Sequence, residues 1–367
     1  MTVTASFSEK LRARLIAFYL PQFHPIPEND AWWGKGFTEW TNVTRARPLF
    51  AGHRQPRVPG ELGYYDLRDP AVRTAQATLA REHGIEAFCY WHYWFGGRRL
   101  LERPFAEVLA SGEPDFPFCL AWANESWTGV WHGAPKRILM QQTYPGEDDD
   151  RRHFDFLLTA FHDRRYVRVD DKPLLVIYKP MLMPQPQRRL DLWRTLAQQA
   201  GLPGLHIVGF NMDDFADPAP LGLDATIVYR LGQTYAWAPA RKIERMWWGL
   251  RRRMPAFSQR RIAYARALRH HLPDPMLSHI AYPCVVPNWD NSPRAGKRAL
   301  ILTDDGPEAF RAHLRAGIDA VAARAPAQRL VFIKAWNEWA EGNYLEPDDT
   351  HGRAYLEVVR DENGGAW

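Results

Sequence analysis

Glu338 and Glu341 stand three residues apart in Trp336-Asn-Glu-Trp-Ala-Glu-Gly342, directly after the apolar run Leu330–Ile333. Burying an unpaired carboxylate is costly, so two carboxyls among tryptophans point to a hollow that uses them. Sugar chemistry asks for such a pair, one acid to protonate a leaving oxygen and one carboxylate to help make the new bond. Apolar aromatic neighbours keep one carboxyl protonated near neutral pH, because they make ionisation costly. The plain alternative is a strand that ends in a capped turn with both glutamates solvated. A second Asn-Glu pair, Asn124-Glu125, follows Trp122 much as Asn337-Glu338 follows Trp336. Two acid–carboxylate couples are therefore open, Glu125/Glu338 and Glu338/Glu341, and spacing alone does not choose between them.

Asn124, Glu125, Trp336 and Asn337 are themselves candidates for contact with a sugar, and further candidates stand around them. His92 and Trp94 lie in an aromatic run, Tyr229 follows the apolar stretch Ala225–Val228, and Asn288 and Asp290 flank Trp289. In Ala31-Trp-Trp-Gly-Lys-Gly-Phe-Thr-Glu-Trp40, Trp32, Trp33, Glu39 and Trp40 suit a subsite wall or an aromatic plug over it. Metal chemistry has no support: there is no His-Glu-x-x-His, Cys-x-x-Cys or EF-hand loop, and no cofactor is expected. No Gly-x-Ser-x-Gly elbow suggests a serine hydrolase. The acidic run Glu147–Asp150 reads as a helix N-terminus.

The elements that must position these residues recur. Eight short apolar runs, Leu15–Leu20, Ile85–Tyr93, Phe116–Ala123, Pro173–Tyr178, Leu205–Phe210, Ala225–Leu231, His279–Val286 and Leu330–Trp336, read as buried strands. Helical stretches lie between them. One starts at Asp69-Pro70, with Val72, Ala75 and Leu79 on one face and a stop at Gly84; others span 151–164, 187–200 and 307–324. The alternation predicts a single (β/α)8 TIM-type barrel with long βα loops, from residue 15 to 367 after a tail of residues 1–14. A doubly wound sheet is the alternative, but Pro-Gln-Phe-His-Pro follows the first strand where a Gly-rich loop would be usual. A barrel carries its chemistry at the strand C-termini. Those ends hold Gln22, His24, His92, Trp94, Asn124, Glu125, Lys179, Asn211, Asp213, Asp214, Tyr229, Asn288, Asp290, Asn337, Glu338 and Glu341.

Bulk properties narrow the partners. Aromatics make up 13% of 367 residues, with 16 Trp, which suits sugar stacking as well as core filling. The net charge of +5 is local, since residues 241–271 hold ten Lys or Arg against one acid, Glu244. That stretch reads first as a helical insertion with a solvated basic face. Its alternative is peripheral contact with an anionic membrane or a lipid-linked glycan. No nucleic-acid partner is expected, because no recognised binding fold accompanies the charge. Cys89, Cys119 and Cys284 lie in apolar runs and are odd in number, which suggests buried thiols in a reducing compartment. With no signal-peptide core or membrane-length run, the chain reads as cytoplasmic, with the inner membrane face as a variant of that expectation.

The strings Ala17-Phe-Tyr-Leu-Pro-Gln-Phe-His24, Trp33-Gly-Lys-Gly-Phe-Thr-Glu-Trp40, Tyr90-Trp-His-Tyr-Trp-Phe95, Leu120-Ala-Trp-Ala-Asn-Glu-Ser-Trp127, Pro287-Asn-Trp-Asp-Asn-Ser-Pro-Arg294 and Ala335-Trp-Asn-Glu-Trp-Ala-Glu-Gly342 resemble the WbsX-like family. That family occurs with O-antigen and other surface polysaccharide genes and is often called a glycosyltransferase. It is similar to glycoside hydrolase family 99, the endo-α-mannosidases, which are (β/α)8 barrels. The resemblance implies that Glu338 takes the proton of a sugar 2-hydroxyl, whose oxygen attacks the anomeric carbon. It implies that Glu341 protonates the departing oxygen and then activates water. The chain departs at Ala340, where those hydrolases have His, and at Asn343-Tyr344, where they have Thr-Gln. The departures leave the pair intact and do not carry the mannose preference across. The leading expectation is a retaining glycosidase or transglycosidase on an oligosaccharide or lipid-linked glycan. A glycosyltransferase of O-antigen biosynthesis and a non-catalytic glycan-binding or membrane-associated protein are the alternatives.

Overall fold

The computed structural model describes residues 11–129, 134–210, 212, 217–231, 259–268 and 271–364. Asn211, Asp213, Asp214 and most of the basic stretch lie outside the described residues. Eight parallel strands form the barrel: β1 Arg14–Tyr19, β2 Ala87–Phe95, β3 Phe118–Trp122, β4 Lys172–Ile177, β5 His206–Gly209, β6 Ala225–Val228, β7 Ile280–Val285 and β8 Leu330–Ile333. Each pairs with the next, and β8 returns to β1 with Arg14 opposite Leu330 and Ala17 opposite Ile333, so the sheet closes. The eight runs expected from the sequence are these strands. Their residues are buried almost throughout, as strands covered on both faces must be.

Helices Pro70–Glu82, Arg103–Ser111, Glu147–Phe161, Pro186–Gln199, Pro307–Asp319 and Ala354–Glu362 alternate with the strands. The first begins where the Asp69 carboxylate accepts from the Ala71 N–H at 2.9 Å. Its buried face is rotated from the expected one: Arg73, Gln76, Ala77, Leu79 and Ala80 are inside, while Val72 and Ala75 are only half-buried. Gln76 explains the rotation, because its amide bridges Tyr19 and Glu346 in the interior. Between β5 and β6 the described residues hold only a short 3-10 turn, Ala219–Leu221.

The connection after β1, expected as a long loop, contains two short helices, Pro27–Trp33 and Glu39–Arg45, at the strand C-termini. Of the basic stretch, residues 260–263 form a strand paired in parallel with Leu300–Thr303, followed by a short helix, Tyr264–Leu268. A strand here departs from the helical insertion expected. No helix among the described residues is long and apolar enough to cross a membrane. The three cysteines are free and buried.

Candidate active site

β8 feeds the site. Beyond Ile333 the Lys334 N–H still bonds the Val285 carbonyl at 2.8 Å, so Lys334 is held as rigidly as the strand before it. Asn337 and Glu338 then pair antiparallel with Tyr344 and Asn343, and a single 3-10 turn, Trp339–Glu341, spans the gap. Gly342 closes the turn at φ +57°, where a side chain's Cβ would fall 2.9 Å from the Asp290 backbone nitrogen. Only glycine satisfies both demands. The tight return puts the Glu338 and Glu341 carboxyls within hydrogen-bonding reach of each other.

Lys334 Nζ sits 2.6 Å from Glu338 Oε2 and 3.8 Å from Glu341 Oε2. Glu338 Oε1 accepts from the Trp91 indole N–H at 3.0 Å. Arg294, on the short helix Ser292–Ala295, donates to Glu341 Oε1 at 2.7 Å and to Glu39 Oε1 at 2.6 Å. Glu39 also accepts the Ala340 N–H at 3.1 Å, which ties the β1 connection to the turn. Lys334, Glu338, Glu341, Arg294 and Glu39 line a cavity of about 510 Å³ at the strand C-termini, walled by Trp33, Phe37, Trp91, Tyr93, Trp127, Tyr178, Tyr229 and Trp289.

Burial pushes the Glu341 carboxyl up, and the neighbouring Glu338 charge adds to it; against Arg294 and Lys334 it still rises to about 8. Burial would raise Glu338 too, but the Lys334 ammonium, the hydrogen bond from Glu341 and the Arg294 guanidinium hold it at about 2. Burial works against a charged Lys334, yet the two glutamates keep its pKa raised and the ammonium in place. At neutral pH the pair thus holds one proton, on Glu341.

Of the residues singled out in the sequence, Glu338, Glu341, Gln22, Trp33, Glu39, Tyr229 and Glu125 line this cavity. Glu125 is half-buried there and closely paired with Lys179. Asn124, Asn337, Trp336, Trp40, Asn288, Asp290, His92 and Trp94 do not line it. Asn124 spends its amide on the Lys179 backbone, accepting at 2.7 Å and donating at 2.8 Å, and so ties the loop after β3 to that after β4. Asn337 does the same for β1, bonding both Leu20 N and O. Trp336 is fully buried against Phe88. Trp40 packs behind the wall, donating to the Tyr65 carbonyl and lying against Trp339. Asn288 is fully buried away from the cavity. Asp290 accepts from His53 and Gln55 while its N–H holds the Glu341 carbonyl at 2.7 Å, so it braces the turn.

His92 and Trp94 face the other way. Successive strand residues alternate sides, and β2 turns Trp91 and Tyr93 inward. His92 meets His153 ring to ring at 2.9 Å, and Trp94 stacks on His153 and donates to Asp149. Sequence reasoning missed Trp91, Tyr93, Arg294 as a bridge, and Lys334. Lys334 had a signal: a lone cation directly after a buried strand needs a carboxylate, and Glu338 lies four residues on. Among the described residues no group of three or more His, Cys, Asp or Glu is arranged to hold a metal ion.

Residues 15–359 match the family described as glycosyltransferase WbsX. Proteins described as uncharacterized protein WxcX, from two strains of Xanthomonas campestris pv. campestris, are 41% identical over 358 residues. The match takes in 97% of this chain and 50% of each relative, so the chain spans about half the length of these curated relatives. A solved glycoside hydrolase-like protein superposes with a TM-score of 0.60 at 14% identity, over 96% of this chain and 94% of the other. The family 99 endo-α-mannosidase from Bacteroides thetaiotaomicron gives 0.56 at 15% identity, over 95% and 96%. At these identities the likeness is one of fold. The chain belongs to the WbsX family, on a barrel of the kind seen in the family 99 endo-α-mannosidases.

Proposed function

We propose that the protein is a carbohydrate-active enzyme of bacterial surface polysaccharide metabolism, a retaining glycosidase or transglycosidase of O-antigen-type glycans worked by Glu338 and Glu341. The observation that carries this reading is two buried carboxyls in one aromatic cavity with unlike partners, Glu338 on the Lys334 ammonium and Glu341 on Arg294. An acid and an ionised carboxylate side by side are what glycosidic cleavage requires. Glu338, ionised, takes the proton of the sugar 2-hydroxyl as its oxygen bonds the anomeric carbon. The bond to the leaving oxygen breaks and Glu341 gives that oxygen its proton. Glu341, now ionised, draws a proton from water or an acceptor hydroxyl, whose oxygen bonds the anomeric carbon; the bond from that carbon to O2 breaks, Glu338 returns its proton to O2, and configuration is retained overall. Two successive displacements at the anomeric carbon, each with inversion, give retention overall.

Turnover on aryl glycosides of both anomers and on surface-glycan oligosaccharides tests this, with the first product's anomer read by NMR. Glu338→Gln and Glu341→Gln should each lower kcat by about 10²–10⁴ while the protein remains folded. Activity persisting in both variants would remove the pair from the reaction. Transfer from a nucleotide sugar without hydrolysis would instead support the glycosyl-transfer reading that the family's description carries.

A further inference from the structure

Arg294 divides its two terminal nitrogens between two carboxyls. Nη1 donates to Glu341 Oε1 at 2.7 Å, and Nη2 donates to Glu39 Oε1 at 2.6 Å. A guanidinium set side by side on one carboxylate gives it two parallel bonds, the pairing that most favours the ionised form. Here the fork is split, and Glu341 receives one of its arms. Glu39 is fixed so as to hold the other. Its side chain is wholly buried, its N–H donates to the Gln22 carbonyl at 2.9 Å, and its Oε1 also accepts the Ala340 N–H at 3.1 Å. Closed off from any ligand, Glu39 acts on the site through Arg294 and the turn.

We infer that Glu39 is a positioning residue for the acid: it draws one arm of Arg294 away from Glu341 and so leaves Glu341 its proton. The inference rests on Glu341 acting as the acid, as proposed above. Among the described residues, the charged and titratable groups facing Glu341 are Glu338 on its own turn, Lys334 at the end of β8, Arg294 on the helix Ser292–Ala295, and Tyr229 after β6. Lys334 is engaged by Glu338 at 2.6 Å, and burial keeps the Tyr229 hydroxyl neutral. Tyr93, near Glu338, Arg294 and Glu39, is kept neutral by burial as well. Asp290 turns its carboxylate to His53 and Gln55. Arg294 is thus the cation whose sharing can change. Burial pushes the Glu39 carboxyl up, and the Arg294 guanidinium and the Ala340 N–H work against that rise. Taking the charge off Glu39 has two effects of one sign. Arg294 turns both arms to Glu341, and a negative charge behind the guanidinium is gone. Each favours the ionised form of Glu341.

Carbon-13 NMR of protein labelled at the glutamate Cδ reads the Glu341 proton without turnover, its signal being the one that Glu341→Gln removes. Glu39→Gln keeps the shape and loses the charge. In it the Glu341 midpoint should fall from about 8 by roughly one pH unit, which cuts the protonated fraction at about pH 8 roughly fivefold. Glu39→Met, a second charge-free variant, should lower it as well. The alkaline limb of kcat/KM on aryl glycosides should move down with the midpoint. Glu39→Asp, which keeps the charge on a side chain one methylene shorter, should hold both near wild type. A midpoint that stays at about 8 in the charge-free variants overturns the inference, because Glu39 would then carry no charge that matters to Glu341. A loss of rate by one factor at every pH, with the midpoint in place, overturns it too and makes Glu39 a prop for the turn. So does a midpoint lowered alike by Gln and Asp. The two readings fail separately. A midpoint that falls as expected in a protein that cleaves no glycoside sinks the reaction alone, whereas cleavage with the midpoint unmoved sinks the role of Glu39 alone.

Discussion

Lys334 places its ammonium nearer to Glu338 than to Glu341, and that asymmetry decides which carboxyl keeps the proton. Replacing it with methionine keeps most of the volume and removes the charge. Glu338 then rises from its low value, and the acid limb of kcat/KM should move up into the ordinary carboxylate range of about 4 to 6. An acid limb unmoved in Lys334→Met would show that another group ionises Glu338. The alkaline limb belongs to Glu341. Activity should fall about tenfold per pH unit above about 8, where its proton leaves. Stability follows the same proton. The folded protein keeps it up to about 8 while the unfolded chain releases it near 4.5, so unfolding free energy drops as pH rises through that window. Glu341→Gln should flatten the drop, which thermal unfolding at pH 5 and pH 9 measures directly. A drop that persists undiminished in the variant would place the proton elsewhere.

At the scale of elements, the reacting turn is held from several sides. Asn337 clamps it to the end of β1, Asp290 grips the Glu341 carbonyl, and Glu39 takes the Ala340 N–H. Gly342 is where that grip is tightest. Gly342→Ala forces a left-handed alanine, at roughly 1–2 kcal/mol, against the Asp290 backbone. A turn displaced by about 1 Å should cost kcat roughly 100-fold with a much smaller change in KM. A variant with kcat near wild type would mean that the turn tolerates movement. The strands were legible in the sequence because a strand covered on both faces must be apolar along its length, and Leu330–Ile333 or Leu15–Leu20 has no other reading. The face of β2 was not legible. Trp91, His92, Tyr93 and Trp94 all tolerate burial, so nothing local says which pair faces the hollow until the neighbouring strands set the tilt. Glu338 and Glu341 stood out because carboxyls among tryptophans are rare. Asn124 and Asn337 misled for a physical reason: a buried amide that ties two loops has the same sequence signature as one that holds a sugar.

For the whole molecule, closing the barrel is one long-range event, the pairing of β8 with β1, and the same seam carries the reacting residues. The helix Ala354–Glu362 covers it, burying Tyr355, Leu356, Val358 and Val359. Just after that helix, Asn363 accepts from the Ala13 N–H at 2.9 Å and donates to the Ala13 and Gly84 carbonyls at 3.0 and 3.1 Å. One fully buried side chain thus fastens the strand that opens the barrel to the helix that follows its last strand. Asn363→Ala would leave those backbone groups unpaired, at about 1–3 kcal/mol for a buried group. For a domain of this size that corresponds to a fall in Tm of roughly 1–4 °C. Because the seam joins both ends of the described chain into one sheet, the whole thermal transition should move together, with tryptophan fluorescence and far-ultraviolet circular dichroism coincident. Two separated transitions, or a loss of activity well before the fluorescence change, would mean that the barrel opens at another seam and that Lys334 and the glutamates do not share the stability of β1.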